Sequence, residues 1–176
     1  MDVLKALAEK AFWGHEFLTW LWFTAEEAGG ELEAEGQGPV TLWIVDRMVL
    51  GSLETESKEN ILKDGDVSRS AEAAAALTVG KKLQEARFGL LREDREWTFT
   101  LKGDTFDLLS VKIPAVTHEK DDDVHATILL RLGYIRELTD VLDALYAQFV
   151  RLRTSPAWDA ETVPAIAAWI GAKEGG

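Results

Sequence analysis

Three of the chain's seven tryptophans and three of its seven phenylalanines fall in one stretch of twelve residues, Phe12-Trp13-Gly14-His15-Glu16-Phe17-Leu18-Thr19-Trp20-Leu21-Trp22-Phe23. Each aromatic ring carries on the order of 150–250 Å² of surface, so this stretch must form the centre of a large core or a partner-binding surface. Val3, Leu4, Leu7, Ala8, Ala11 and Phe12 recur at helical spacing, and Phe17, Trp20, Leu21 and Thr24 continue one face, which predicts a helix over residues 1–28. Beyond Gly14 the segment is apolar nearly all round, with Leu18, Trp22 and Phe23 opposite that face, the pattern of a helix buried on both sides. Gly29-Gly30 is a natural stop, and Gly14 marks either a break or a helix–helix contact.

From Gly38 to Pro114 the period changes from 3.6 to two. Val40, Leu42 and Ile44 alternate with Thr41, Trp43 and Val45, and a tight Asp46-Arg47 turn is expected before Met48–Leu50. A weaker strand is expected near Glu59–Lys63, and Ser68 or Ser70 caps an alanine-rich helix, Ala71–Leu77, ended by Gly80. In Glu85–Leu91 the residues Ala86, Phe88 and Leu90 share a face, as do Trp97, Phe99 and Leu101 in Glu96–Lys102, with Arg92-Glu93-Asp94-Arg95 as the turn. Gly103-Asp104 signals a second hairpin, and the strand after it should point Leu109, Val111 and Ile113 inward. The result is an antiparallel meander with one buried face.

Residues 117–123, Thr-His-Glu-Lys-Asp-Asp-Asp, suit the start of a helix, whose dipole favours acids there. That helix is expected from about Asp122 to Arg153. Ile128, Ile135, Leu142 and Phe149 fall seven apart, with Leu138, Leu145 and Leu152 at the matching positions and Arg131 interrupting. Such a seam serves an intramolecular helix pair or a dimer; Leu129, Leu132, Val141 and Tyr146 widen it beyond a coiled-coil stripe and favour packing within the chain. After Ser155-Pro156, a last helix holds Trp158, Val163, Ile166, Trp169 and Ile170, and Pro164 kinks or restarts it. Without repeats or low-complexity linkers, residues 1–176 read as a single α+β domain. In it the antiparallel β-meander packs against the N-terminal aromatic helix and the long C-terminal helix.

Composition narrows the chemistry. A chain of 176 residues with 47% apolar and 28% charged residues is long enough to bury about 70% of its unfolded surface. The absence of cysteine excludes disulfides, thiolate metal sites and cysteine nucleophiles. Asp2, Lys5, Glu9 and Lys10 interrupt the N-terminal apolar residues, unlike a secretory signal, and the run Phe17–Ala25 is far shorter than the about 20 residues of a membrane span. The expectation is a cytoplasmic protein with no membrane contact.

The three histidines, His15, His118 and His125, give no metal motif: the acidic stretch between His118 and His125 lacks the spacing and glycine of a calcium loop. His15-Glu16 lacks a second histidine at position 19, which is threonine, so a structural histidine is expected there. Neither a Gly-x-Ser-x-Gly elbow nor a phosphate loop occurs; Gly80-Lys81-Lys82 lacks the remaining glycine and hydroxyl spacing. The chain therefore reads as non-enzymatic, with no catalytic residue, metal or cofactor implied.

The net charge of −12 opposes nucleic-acid binding by the protein as a whole. Residues 81–114 are the exception, with seven bases against six acids. Lys81 and Lys82 open the central hairpin, Arg92 and Arg95 sit at its turn, and Arg87, Thr98, Thr100, Lys102 and Lys112 should face away from the core. These seven cations are candidate contacts to phosphates without sequence reading. The alternative is a solvated face on which Glu85 and Glu96 pair across strands.

Gly14-His15-Glu16-Phe17-Leu18-Thr19-Trp20-Leu21-Trp22-Phe23 followed by Glu26-Glu27-Ala28-Gly29-Gly30 resembles a segment of diverged, longer bacterial members of the recombination-associated protein RdgC family. Further similarity follows in order through Leu42–Leu50, Gly80-Lys81-Lys82 with Ala86-Arg87, Glu96–Leu101, Leu109–Pro114 and Arg151-Leu152-Arg153-Thr154-Ser155-Pro156-Ala157-Trp158. It spans almost the whole chain and corresponds to the C-terminal part of those proteins. The resemblance implies DNA binding without sequence preference by a ring-shaped homodimer that restrains RecA-mediated recombination, in the bacterial cytoplasm at the nucleoid. The competing expectation is an acidic protein-interaction module that assembles with a separately encoded partner.

Overall fold

Helix α1 (Val3–Glu27) runs through the aromatic block without a break. The computed structural model describes residues 3–52, 59–63, 67, 70–116 and 124–174, with side chains described within 13–173. The apolar residues expected before Trp13, the Ser68 cap and the acidic 117–123 stretch therefore lie outside the described side chains or residues. α1 stops where expected: Gly29 and Gly30 take φ of +63° and +93°, and the Gly30 N–H reaches back to the Ala25 carbonyl.

The strands are β1 (Glu31–Ala34), β2 (Gly38–Gly51), β3 (Asn60–Lys63), β4 (Lys82–Arg92), β5 (Arg95–Lys102) and β6 (Leu108–Lys112), all antiparallel in the order β1-β2-β4-β5-β6. β3 joins the edge of β2 that also carries β1, so the long β2 holds β4 along one side and two short strands along the other. Helix α2 (Ala71–Thr78) is capped by the Ser70 hydroxyl, which accepts from the Glu72 N–H. The long helix α3 (Val124–Arg153) is followed by a π-helical turn (Trp158–Thr162) and helix α4 (Val163–Glu174). Pro164 follows directly on the π-helical turn, where the Val163 N–H reaches back five residues to the Trp158 carbonyl.

One core joins the inner face of the sheet to all four helices. Leu42, Met48, Leu50, Leu83, Ala86, Phe88, Leu90, Trp97, Phe99 and Leu101 point into it from the strands. α1 lies across β4 and β2, and its other side meets α3 and α4, which is why it is apolar all round. Phe17 and Phe149 pack 5.4 Å apart, Phe17 and Tyr146 meet edge to face at 5.1 Å, and Trp22 meets Trp169 edge to face at 4.7 Å.

Two charged clamps fasten the C-terminal elements to α1. Glu26 accepts from the indole N–H groups of Trp22 (2.6 Å) and Trp169 (3.0 Å) and pairs with Lys173, whose ammonium sits about 5 Å from both rings. Ten residues earlier Glu16 pairs with Arg153, whose guanidinium lies over Trp158 and Trp13.

Several expectations need correction. Asp46-Arg47 is not a turn: β2 continues through it, and Val45, Asp46 and Arg47 bulge opposite Arg87. Both charged side chains are held by β4, Arg47 on Glu85 at 2.8 Å and Asp46 on Arg87 at 3.3 Å. Leu109 points outward because Ser110 takes φ +51° and inserts an extra residue between Leu109 and Lys112, so Leu108, Val111 and Ile113 pack on the core instead. β1 went unpredicted, although Glu31-Leu32-Glu33-Ala34 alternates cleanly, with Leu32 and Ala34 buried. Gly14 marks neither a break nor a helix–helix contact. It lets α1 touch the β5–β6 turn, since a Cβ at Gly14 would stand 1.7 Å from the Gly103 carbonyl oxygen.

His15, next to that contact, is 4% exposed, and its Nδ1 finds no hydrogen-bond partner among the described residues. Burial pushes its pKa below the ordinary 6.5, with Asp104 opposing and Lys82 adding to the shift. The folded state therefore resists a proton that the unfolded chain accepts, so this contribution to stability is full above pH 6.5 and is lost as pH falls below it. The expected result is that His15→Gln removes part of the loss of melting temperature between pH 7.5 and 5.5. An unchanged slope in thermal denaturation across that range would show that the imidazole does not carry it.

Candidate nucleic-acid interface

The pleat of the sheet divides five of the seven candidate cations between its two sides. Phe88 pairs with Phe99 and Leu90 with Trp97 on the buried side, so the alternate positions share the outer side. There Arg87 stands opposite Thr100, Gly89 opposite Thr98, and Glu85 opposite Lys102, with Lys112 of β6 next to Thr98. Arg87, Lys102 and Lys112 thus share one face with the two threonines, in the register the alternation implied.

Arg92 and Arg95 lie on the other face. They form the last pair of the hairpin and both reach the Glu137 carboxylate of α3, at 3.0 and 2.7 Å, while Arg92 also donates to the Gln37 carbonyl. Glu93, at φ +58°, makes the turn and accepts from Arg95. Lys81 precedes β4 and donates to the Asn60 side chain at 2.6 Å. Lys82 opens β4 opposite Gly51 at the far end of the strand. The seven residues therefore do not converge on one surface.

The outer face is flat and mixed in charge. Arg47 and Arg87 are paired with Glu85 and Asp46, whereas Lys102 and Lys112 carry no ion pair among the described residues. The Trp43 ring lies over Gly89, where an added Cβ would come within 2.2 Å of it. That glycine leaves room for the aromatic ring on the sheet. At the β5–β6 edge, an open groove of about 480 Å³ runs between Glu96, Thr98, Lys112 and Tyr134. The Thr98 hydroxyl and the ammonium groups in this arrangement can donate to phosphate oxygens, whereas Thr100, expected on the same open face, is buried at 7% exposure, and nothing here reads a base edge.

No group of three or more metal-ligating side chains occurs among the described residues, and no helix among them is long and apolar enough to cross a membrane. The residues that sequence reasoning did not single out as a surface are on α3. Val124, Ile128, Leu129, Leu130, Leu132 and Ile135 are all exposed, while the same helix is buried at Leu138, Val141, Leu142, Leu145 and Phe149. The signal was present in Leu129 and Leu132, which fall outside the heptad seam. No protein-family model matches the chain, and no curated protein matches it significantly.

Proposed function

We propose that the protein is a non-enzymatic factor associated with DNA recombination, of the RdgC type, that touches DNA weakly and without sequence preference. The observation that supports it best is the outer face of the sheet, where Lys102, Lys112, Thr98 and Arg87 stand in register with no core-facing role. Such a face neutralises few phosphates, so binding should be weak, with a shallow salt dependence, and measurable only at low ionic strength. In gel retardation with duplex and single-stranded DNA at about 20–50 mM salt, the chain should shift both, and Lys102→Glu with Lys112→Glu should abolish the shift. No retardation of either DNA at low salt overturns the reading. In a cell this role places the protein at the bacterial nucleoid in the cytoplasm.

A second reading has its own support: the exposed apolar half of α3 favours a protein-interaction module, whose acidic body contributes little to DNA affinity. Its test is co-purification with the tagged full-length chain from its own cells. Leu129→Glu with Leu132→Glu should release whatever protein the native chain retains, and retention unchanged by the pair of substitutions counts against α3 as the assembly face.

A further inference from the structure

We infer that the outer face of the sheet holds single-stranded DNA in preference to duplex, with the Trp43 indole stacking on an unpaired base; the inference rests on the DNA-binding reading above. Six of the seven tryptophans are engaged by another ring or by a cation: Trp20, Trp22, Trp97, Trp158 and Trp169 by rings, and Trp13 by Arg153. Trp43 has neither, nor a hydrogen bond, among the described residues. It is half-buried on the outer side of β2, opposite Gly89, while all four helices join the core on the other side of the sheet. A Cβ at Gly89 would stand 2.2 Å from the ring carbon Cε2, 2.3 Å from Cζ2 and 2.7 Å from Nε1. A point off the edge of the indole would meet Cζ2 or Nε1 before the recessed Cε2. The ring therefore covers Gly89 with one face and turns the other away from the sheet, the orientation that stacking requires.

The neighbours of the ring select the ligand. Trp43, Gly89, Thr98 and Lys112 form one row across β2, β4, β5 and β6, in which Gly89 puts no side chain between ring and hydroxyl. The row spans about 14 Å between its end Cα atoms, and Lys102 lies on the same face about 13 Å further along β5 from Thr98. Neither lysine has an ion pair among the described residues, whereas Asp46 and Glu85 are neutralised by Arg87 and Arg47. The other acids of this face, Glu31 and Glu96, flank it at the end away from Lys102. A strand whose phosphates follow Lys112 to Lys102 thus runs away from those acids, with its bases over β4 toward Trp43. Duplex DNA would meet the lysines, but its bases are stacked on one another and offer the ring no face. A neutral sugar chain would use the ring and leave both lysines idle. A single strand uses both, and because every base has a π-face it does so without reading sequence.

The test measures fluorescence anisotropy with the pure full-length chain at about 20–50 mM salt and labelled probes of about 20 nucleotides. The probes are oligothymidine, an abasic strand with the same phosphates and no bases, and a duplex. Oligothymidine should bind about tenfold more tightly than the abasic strand or the duplex. Trp43→Leu, which keeps an apolar side chain over Gly89, should bring oligothymidine down to the abasic level. It should leave the other two affinities unchanged, which also shows that the variant is folded. Trp43→Phe, with a smaller aromatic face, should keep a severalfold preference for oligothymidine. Equal affinity of the native chain for oligothymidine and the abasic strand overturns the inference and leaves the DNA-binding reading standing, as does a preference that survives Trp43→Leu. No binding to any of the probes overturns both.

Discussion

Replacing Gly14 by alanine should destabilise the protein by about 3 kcal/mol, lowering the melting temperature by roughly 6–12 °C for a chain of this size. The added Cβ would stand 1.7 Å from the Gly103 carbonyl oxygen and 2.8 Å from its carbon. These are backbone atoms, so no side chain can turn aside to relieve the overlap; α1 or the β5–β6 turn must move. Moving α1 disturbs Phe17, Leu18 and Leu21, which are buried against the sheet and α3. The contact is close from both sides, because a Cβ at Gly103 would meet His15 Cδ2 at 2.6 Å. The control is Gly133→Ala on α3, where a Cβ meets nothing within 4 Å; there the better helix propensity of alanine should stabilise by up to about 1 kcal/mol. Thermal and urea denaturation of the two variants side by side checks this. A Gly14→Ala protein as stable as the native chain would mean that the helix and turn do not meet so closely.

Glu137→Gln should cost about 2–4 kcal/mol, the second largest effect expected. Its carboxylate receives both Arg92 and Arg95 and is 15% exposed, so the substitution leaves two neighbouring guanidiniums without their common counter-ion. The arginines are 21% and 28% exposed, and water at that rim keeps the cost below that of a fully buried pair. The matched control is Glu35→Gln, which removes the exposed Arg151–Glu35 pair and should change stability by less than about 1 kcal/mol. The site also fixes where α3 leaves the body. Trp97 donates to the Tyr134 carbonyl one turn earlier at 3.0 Å, and beyond it the exposed row begins. Hydrogen exchange should therefore quicken in residues 124–140 of Glu137→Gln before it does in the buried C-terminal half. Equal costs for Glu137→Gln and Glu35→Gln would show that the two arginines do not tether the helix.

Much of the architecture was legible where one local pattern governs. The all-round apolar run after Gly14 implied burial on both sides, and α1 is held between the sheet and helices α3 and α4. Alternation placed Ala86, Phe88, Leu90, Trp97, Phe99 and Leu101 on one face because side chains on a strand have no other choice. The same alternation fails at Asp46-Arg47 and at Ser110, where extra residues enter the ladder. Both bulges look like ordinary strand or turn in sequence, since what makes room for them is the neighbouring strand.

The candidate site was legible only in part. Parity set Arg87, Lys102 and Lys112 on one face, but it also puts Arg92 and Arg95 on the other, and their role depends on Glu137, 45 and 42 residues away. Nothing near either arginine in the sequence names that partner. Likewise the heptad pattern of α3 runs almost unbroken through the helix, yet its first half is exposed and its second half buried. A pattern of apolar residues records a tendency to be covered without recording what does the covering.

By itself, then, the sequence determined most of the elements, the apolar faces of the regular strands and the central place of the aromatic helix, because these follow from spacing along one chain. The tertiary structure alone decided which charges cancel, why residue 14 must be glycine, and which half of α3 is left to meet another surface. Those are matters of distance between residues far apart in the chain, and local spacing carries no information about them.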